Sequence, residues 1–225
     1  MSLKEGEQVK EKKRIILMAG GLVILMALLY IETLRTQAGK VMSSTDLFIM
    51  NTVQRAETDS LTQAVLAVTS AGSVYALGLT AVLGALFLGW RKRWRMALFY
   101  PAAVGAGGLI NWLLKGIFQR ERPDLNPLLE EPGFSFPSGH SMGSMMTFGL
   151  LAYFIIRLSD RSPVRIATAS AAAVIIFSIG LSRIYLGVHY PTDVVAGFLA
   201  GGIWIFISVL VWKRWFETKP GNRKS

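Results

Sequence analysis

A chain of 225 residues that is 52% hydrophobic and holds no cysteine excludes disulfides and thiolate metal sites, and carries more apolar surface than a soluble core of this length buries. The net charge of +10 does not point to nucleic acid, because the basic residues fall in short clusters beside long apolar runs, the pattern by which loops orient a membrane protein. What remains is one domain, a helical bundle that spans the bilayer.

Residues 1–14 read as a solvated cytoplasmic tail that ends in Lys10, Lys12, Lys13 and Arg14. Residues 15–34 predict a first span of about 20 residues. Its length, and the lack of a small-residue cleavage site after it, favour a retained helix over a signal peptide. Asp46 is placed to cap a short amphipathic helix over 47–55, lying in the membrane interface. The run 61–90 is too long for one upright span. Thr69-Ser70-Ala71-Gly72-Ser73 divides it into an interfacial or re-entrant piece, 61–68, and a second span, Val74–Trp90.

The third span, 96–118, contains Ala102, Ala103, Gly105, Gly107 and Gly108, small residues that let helices approach closely. A loop rich in proline and charge covers 119–137. The fourth span is 138–156, a basic turn covers 157–165, and the fifth span is 166–184. The sixth, Pro191–Val211, places Gly197 and Gly201 at GxxxG spacing, a packing signal. Residues 213–225 read as a second cytoplasmic tail. The expected fold is therefore all-α: an integral membrane six-helix bundle over 15–212, with short interfacial helices on the outer side.

Six spans put both termini on one side. With that side inside, most of the 24 basic residues lie in inside segments. Only Arg35, Lys40, Arg55, Lys115, Arg120, Arg122 and Arg183 fall elsewhere. This bias places both termini in the cytoplasm and three polar patches, 115–123, 137–140 and 182–193, on the outer face.

Each patch has its own chemistry. Lys115 and Arg122 are seven residues apart and share a face if the helix continues. Arg183 adds a third cation, and three cations around one point suit a phosphate dianion. Ser138 reads as an N-cap, and Gly139 lets backbone amides approach an anion at the helix start. His189 and Asp193 stand at i, i+4, so the carboxylate can accept one ring proton, fix the tautomer and support a ring that attacks as a nucleophile. The helix N-terminus would help to keep that ring neutral. His140 is left as the general acid, and two histidines in separate roles predict a bell-shaped pH profile. A metal site is disfavoured, since there is no HExxH pair and three cations would repel the ion. Glu121, Asp124, Glu130 and Glu131 read as a solvated loop. An anion transporter would need charges at mid-span, and Glu32, near a helix end, is the nearest candidate.

The three motifs, Lys115-x6-Arg122-Pro123, Pro137-Ser138-Gly139-His140 and Ser182-Arg183-x5-His189-x3-Asp193, are complete and in order. Together they resemble the signature of the type 2 phosphatidic acid phosphatase superfamily. The motifs cover 115–193, and the first 114 residues match only in hydropathy and layout. The resemblance implies hydrolysis of a lipid phosphate drawn from the bilayer, with no metal, no other cofactor, no nucleic acid and no obligate protein partner. It implies that His189 attacks phosphorus and forms a phosphohistidine, that Asp193 orients it, and that His140 protonates the leaving oxygen and later activates water. Lys115, Arg122, Ser138, Gly139 and Arg183 would bind the phosphate and its transition-state charge. The substrates implied are phosphomonoesters such as phosphatidylglycerophosphate, giving phosphatidylglycerol, or phosphatidic acid. Undecaprenyl pyrophosphate of cell-wall carrier recycling is the alternative. The setting would be a bacterial plasma membrane.

Overall fold

The structure, a computed structural model, describes residues 44–216 except 125. The predicted first span, the tail 1–14 and the last residues of the tail 213–225 lie outside the described residues.

Local chemistry sets the helix boundaries. The first described helix, α1, is Ser44–Gln54. Thr58 then accepts a hydrogen bond from Leu61 N at 3.3 Å and opens α2, Asp59–Ser70. Ser73 repeats the device on Ala76 N at 3.2 Å and starts α3, Val74–Trp90, at 51° to α2. The break predicted at Thr69–Ser73 is thus a real bend, where α2 ends at Ser70 and the Ser73 cap starts a new helix. A long helix, α4 (Trp94–Phe118), follows, with Pro101 inside it. Ser138 caps α5, Gly139–Leu158; a proline in the first turn starts both α6, Ser162–Tyr185, and α7, Pro191–Val211. The tail expected from 213 begins instead as a π-helical turn, Trp212–Phe216. The Trp212 ring stacks on Phe216 at 5.6 Å and meets Phe154 edge-on at 5.2 Å, which anchors the turn to the bundle.

No strand occurs among the described residues. Four helices are long and apolar enough to cross a membrane, and α2 with α3 makes a fifth if the bent pair is one span. The protein is a multi-pass, all-helical membrane protein. Its outward side chains agree: Tyr75, Leu79, Leu83 and Leu86 of α3 and Trp112 and Ile117 of α4 are exposed, as a lipid-facing surface requires.

The α5 helix is the hub, packed on α4, α6 and α7. Lipid removes the hydrophobic drive for helix association, so close contact must hold the bundle. Gly197 and Gly201 supply it. A Cβ at 197 would lie 2.7 Å from Ser138 O, and one at 201 would lie 2.8 Å from Met145 Cβ. At the far end, Tyr100, Phe154 and Trp212 form an aromatic core, with the Tyr100 hydroxyl donating to Thr147 O at 3.1 Å.

Alternating helix direction assembles the polar end. Lys115 ends α4, His140 begins α5, Arg183 ends α6 and Asp193 begins α7. The basic segments 91–95, 157–165 and 213–214 sit at the other ends of the same helices.

Candidate active site

His189 lies in the short link between α6 and α7, 1% exposed. Its Nδ1 faces Asp193 Oδ2 at 3.4 Å, and its Nε2 faces Arg122 Nη1 at 3.3 Å. With the proton on Nδ1 and directed at the carboxylate, the Nε2 lone pair points toward the arginine. Burial is the main force holding the ring's pKa down to about 4, with Lys115 and Arg122 adding to it and Asp193 opposing it. The ring is therefore neutral at ordinary pH, chiefly through burial.

Asp193 is saturated. Its Oδ2 accepts from Tyr190 N at 2.9 Å, and its Oδ1 accepts from Arg120 Nη1 at 2.7 Å. Its own carbonyl accepts from Ser138 N at 3.0 Å, which ties the start of α7 to the start of α5.

The three expected cations converge, though not along one helix. The α4 helix stops at Phe118 because Gln119 turns left-handed, with φ 46°. Lys115 and Arg122 thus do not share a helical face, and the loop carries Arg122 back. Arg122 is fixed by three backbone carbonyls: Nε donates to Gly133 O at 3.0 Å, Nη1 to Val188 O at 3.0 Å and Nη2 to Pro132 O at 3.2 Å. Lys115 Nζ donates to Phe134 O and, at 3.5 Å, to Ser135 O. Arg183 is fully buried and donates from Nη1 to Thr69 Oγ1 at 2.6 Å, while its Nε has no hydrogen-bond partner among the described residues.

Ser138 is buried, and its hydroxyl is engaged with Ser141 N at 3.4 Å and Ser141 Oγ at 3.1 Å. Gly139 leaves room beside α4, since a Cβ there would sit 3.1 Å from Asn111 Oδ1 and 3.8 Å from Lys115 Cε. His140 lies within electrostatic reach of Arg183, Glu131, His189 and Arg122. Gly72, at the bend between α2 and α3, backs onto its ring: a Cβ there would be 2.8 Å from His140 Cδ2.

Four residues in this cluster were not expected there. Glu131 read as part of a solvated loop, yet its carboxylate bridges Arg183, in close contact, and Arg122 at 3.3 Å. Burial alone would raise its pKa, but Arg183 and the neighbouring cations outweigh that and lower it. It occupies the place an oxyanion would take between two guanidiniums. Thr69 anchors Arg183. Arg120 and Asp46 extend the cluster behind Asp193, joined at 3.2 Å. Asp46 was expected to cap its own helix. It lies inside α1 instead and accepts from Thr192 N at 3.0 Å and Thr192 Oγ1 at 2.8 Å, capping α7. The proximity of Arg120 to Arg122 in sequence was the one available signal for these contacts. Beside Arg122, Glu131 and Val188 a cavity of about 520 Å³ opens on the loop side.

A helical membrane bundle that gathers two imidazoles, a carboxylate and three cations at one end defines a membrane phosphate-handling protein. The chain belongs to the PAP2 superfamily, which matches residues 96–217. It is 39% identical over 136 residues to phosphatidylglycerophosphatase B of Bacillus subtilis, covering 60% of this chain and 66% of that protein. It is 34% identical over 131 residues to lipid A 4'-phosphatase of Bacteroides thetaiotaomicron, covering 50% of this chain and 55% of that one. The matched part therefore spans half to two thirds of these relatives. The crystal structure of a PAP2-type phosphatidylglycerolphosphate phosphatase from Bacillus subtilis superposes with a TM-score of 0.79 at 30% identity, covering 89% of this chain and 98% of that one.

Proposed function

We propose that this protein hydrolyses a lipid phosphomonoester, with phosphatidylglycerophosphate or phosphatidic acid as the substrate class, through a phosphohistidine and without a metal. The observation that carries this reading is the neutral, buried His189, held on one nitrogen by Asp193 and facing Arg122 with the other. His189 Nε2 attacks phosphorus in line. The bond to the lipid oxygen breaks, and His140, in its protonated form, gives that oxygen its proton. His140 then takes a proton from water, which attacks phosphorus and frees His189 and inorganic phosphate. Lys115, Arg122 and Arg183 hold the equatorial oxygens, with Ser138 and Gly139 at the start of α5. The phosphate would displace the carboxylate of Glu131.

In this reading the chain crosses the membrane six times, with the site on the outer face, and the lipid enters sideways from the bilayer. The basic segments at the opposite ends of the helices support that orientation. The names of the Bacillus subtilis relative and of the Bacillus subtilis crystal structure support a phosphatidylglycerophosphate substrate.

Phosphate release by the purified protein in detergent with EDTA tests the reading. Short-chain phosphatidylglycerophosphate, phosphatidic acid and a polyprenyl diphosphate form the panel, each against His189→Ala. Activity that survives in His189→Ala overturns the nucleophile, and activity abolished by EDTA overturns metal independence. Preference for the diphosphate would move the substrate to the polyprenyl class.

A further inference from the structure

The carboxylate that supports the nucleophile is itself supported by two buried residues that are not among the named motif positions: Arg120, an unspecified position inside the first motif, and Asp46, far outside all three. Arg120, 4% exposed, donates to Asp193 Oδ1 at 2.7 Å from Nη1 and reaches Asp46 Oδ2 at 3.2 Å from Nη2. Its guanidinium lies over the Tyr190 ring at 4.1 Å, and Nη1 also donates to Thr192 Oγ1 at 2.8 Å. Asp46, 1% exposed, accepts both bonds from Thr192. The chain His189–Asp193–Arg120–Asp46 thus runs from the candidate nucleophile across the start of α7 to α1.

Its charge balance is informative. With the imidazole neutral, one arginine and two carboxylates carry a net charge of −1 in a site closed to water. A ring bonded to phosphorus through Nε2 and still protonated at Nδ1 is cationic, and the set then sums to zero. Without Asp46, Arg120 would neutralise Asp193 and leave the cationic ring uncompensated.

We propose that Arg120 and Asp46 are positioning residues for phosphoryl transfer. Arg120 clamps one oxygen of Asp193 so that the other faces His189 Nδ1. Asp46 supplies the second negative charge that keeps the set ready for the cationic ring. The proposal rests on the phosphatase reading above. The other groups that act on the ring stay untouched by changes at 46 and 120: Lys115 from α4, His140 from α5 and Arg122 from the loop. Arg183 and Glu131 lie beyond them, and Glu121 acts on Tyr190.

The test uses the full chain in detergent micelles. Asp46→Asn keeps the shape and can keep both Thr192 contacts, while removing the charge and, with it, the bond accepted from Arg120 Nη2. Two readouts apply. In a His140→Gln background, ring NMR of 13C-labelled histidine reads the His189 titration without any turnover. In the otherwise unaltered chain, kcat and the inhibition constant of orthophosphate are measured together. Asp46→Asn is expected to move the ring midpoint down by roughly half to one unit. It should lower kcat by about tenfold or more, leave orthophosphate inhibition within about twofold, and regain part of kcat as Asp46→Glu. Arg120→Lys keeps the charge and loses the fork, so kcat should fall while the midpoint holds. It also carries the test should Asp46→Asn not fold. An unmoved midpoint with an unchanged kcat overturns the proposal. So does a loss of kcat matched by an equal loss of orthophosphate binding, which would mean general collapse of the site. A wild-type chain that releases no phosphate would defeat the phosphatase reading instead, and the ring titration would still report on the charge set.

Discussion

With only two histidines in the chain, the protonation of His189 can be followed in isolation. The His140→Gln variant leaves a single imidazole, and 13C-labelled histidine gives its titration by NMR. The ring moves from the ordinary 6.5 to about 4, with burial as the leading cause and Asp193 opposing it. That difference corresponds to about 3 kcal/mol in favour of the neutral ring. The sign follows from proton binding. An unfolded chain takes up the proton near 6.5 and the folded one near 4, so the unfolded state binds more protons between those values. Stability from this group is therefore complete above the unfolded value, falls as pH drops through the window, and levels off below the folded value. Asp193→Asn removes the hydrogen bond and the charge that hold the midpoint up, so the midpoint should fall further. Thermal unfolding of His189→Gln should lose the part of the acid sensitivity that this ring contributes. A midpoint at about 6 or above, near the free imidazole, would refute the burial argument, as would a rise in Asp193→Asn.

Other outcomes follow from the same geometry. Glu131→Gln removes the carboxylate from between Arg183 and Arg122, so the orthophosphate inhibition constant should fall by roughly three- to tenfold, read by competition in the phosphate-release assay. Arg122→Lys loses donors to three backbone carbonyls and the contact with His189, and kcat/KM should fall about a hundredfold. Gly72→Val would drive a Cβ to 2.5 Å from Ile179 Cγ2 and 2.8 Å from His140 Cδ2. It should cost about 1–3 kcal/mol of stability and displace the ring, seen as a fall in kcat beyond any loss of folded protein. Gly197→Leu, by contrast, should lower Tm and activity together, because its Cβ would lie 2.7 Å from Ser138 O at the α5–α7 crossing.

The parts legible in the sequence are those that lipid enforces. A backbone in hydrocarbon must satisfy itself within helices, so apolar length and the breaks at Ser73, Ser138 and Pro191 mark helix starts, while α6 begins at Ser162, inside the stretch read as a basic turn. Alternation of direction then brings Lys115, His140, Arg183 and Asp193 to one end without any knowledge of side-chain contacts. What failed depended on one backbone residue or on distant charge. Lys115 and Arg122 looked like neighbours on a helix, and a left-handed Gln119 broke that periodicity. Nothing in the composition of 119–137 distinguishes Glu131, folded into the cations, from Glu130 beside it.

Asp46 and Arg120 show why the supporting network was hidden while the motifs were not. The motif residues stand at helix ends and in the short links between them, so apolar length and helix direction already bring them to one end of the bundle. Arg120 and Asp46 are 74 residues apart and meet only because α1 folds over the start of α7. Their pairing is a property of the tertiary fold, and a buried cation between two carboxylates is tolerated only where each remaining donor finds a partner. Here Nη1 also donates to Thr192 Oγ1, and the Tyr190 ring lies against the guanidinium at 4.1 Å. The residues proposed to contact phosphate can therefore be read along the chain, whereas the charges packed behind them are brought together only by three-dimensional closure of the fold.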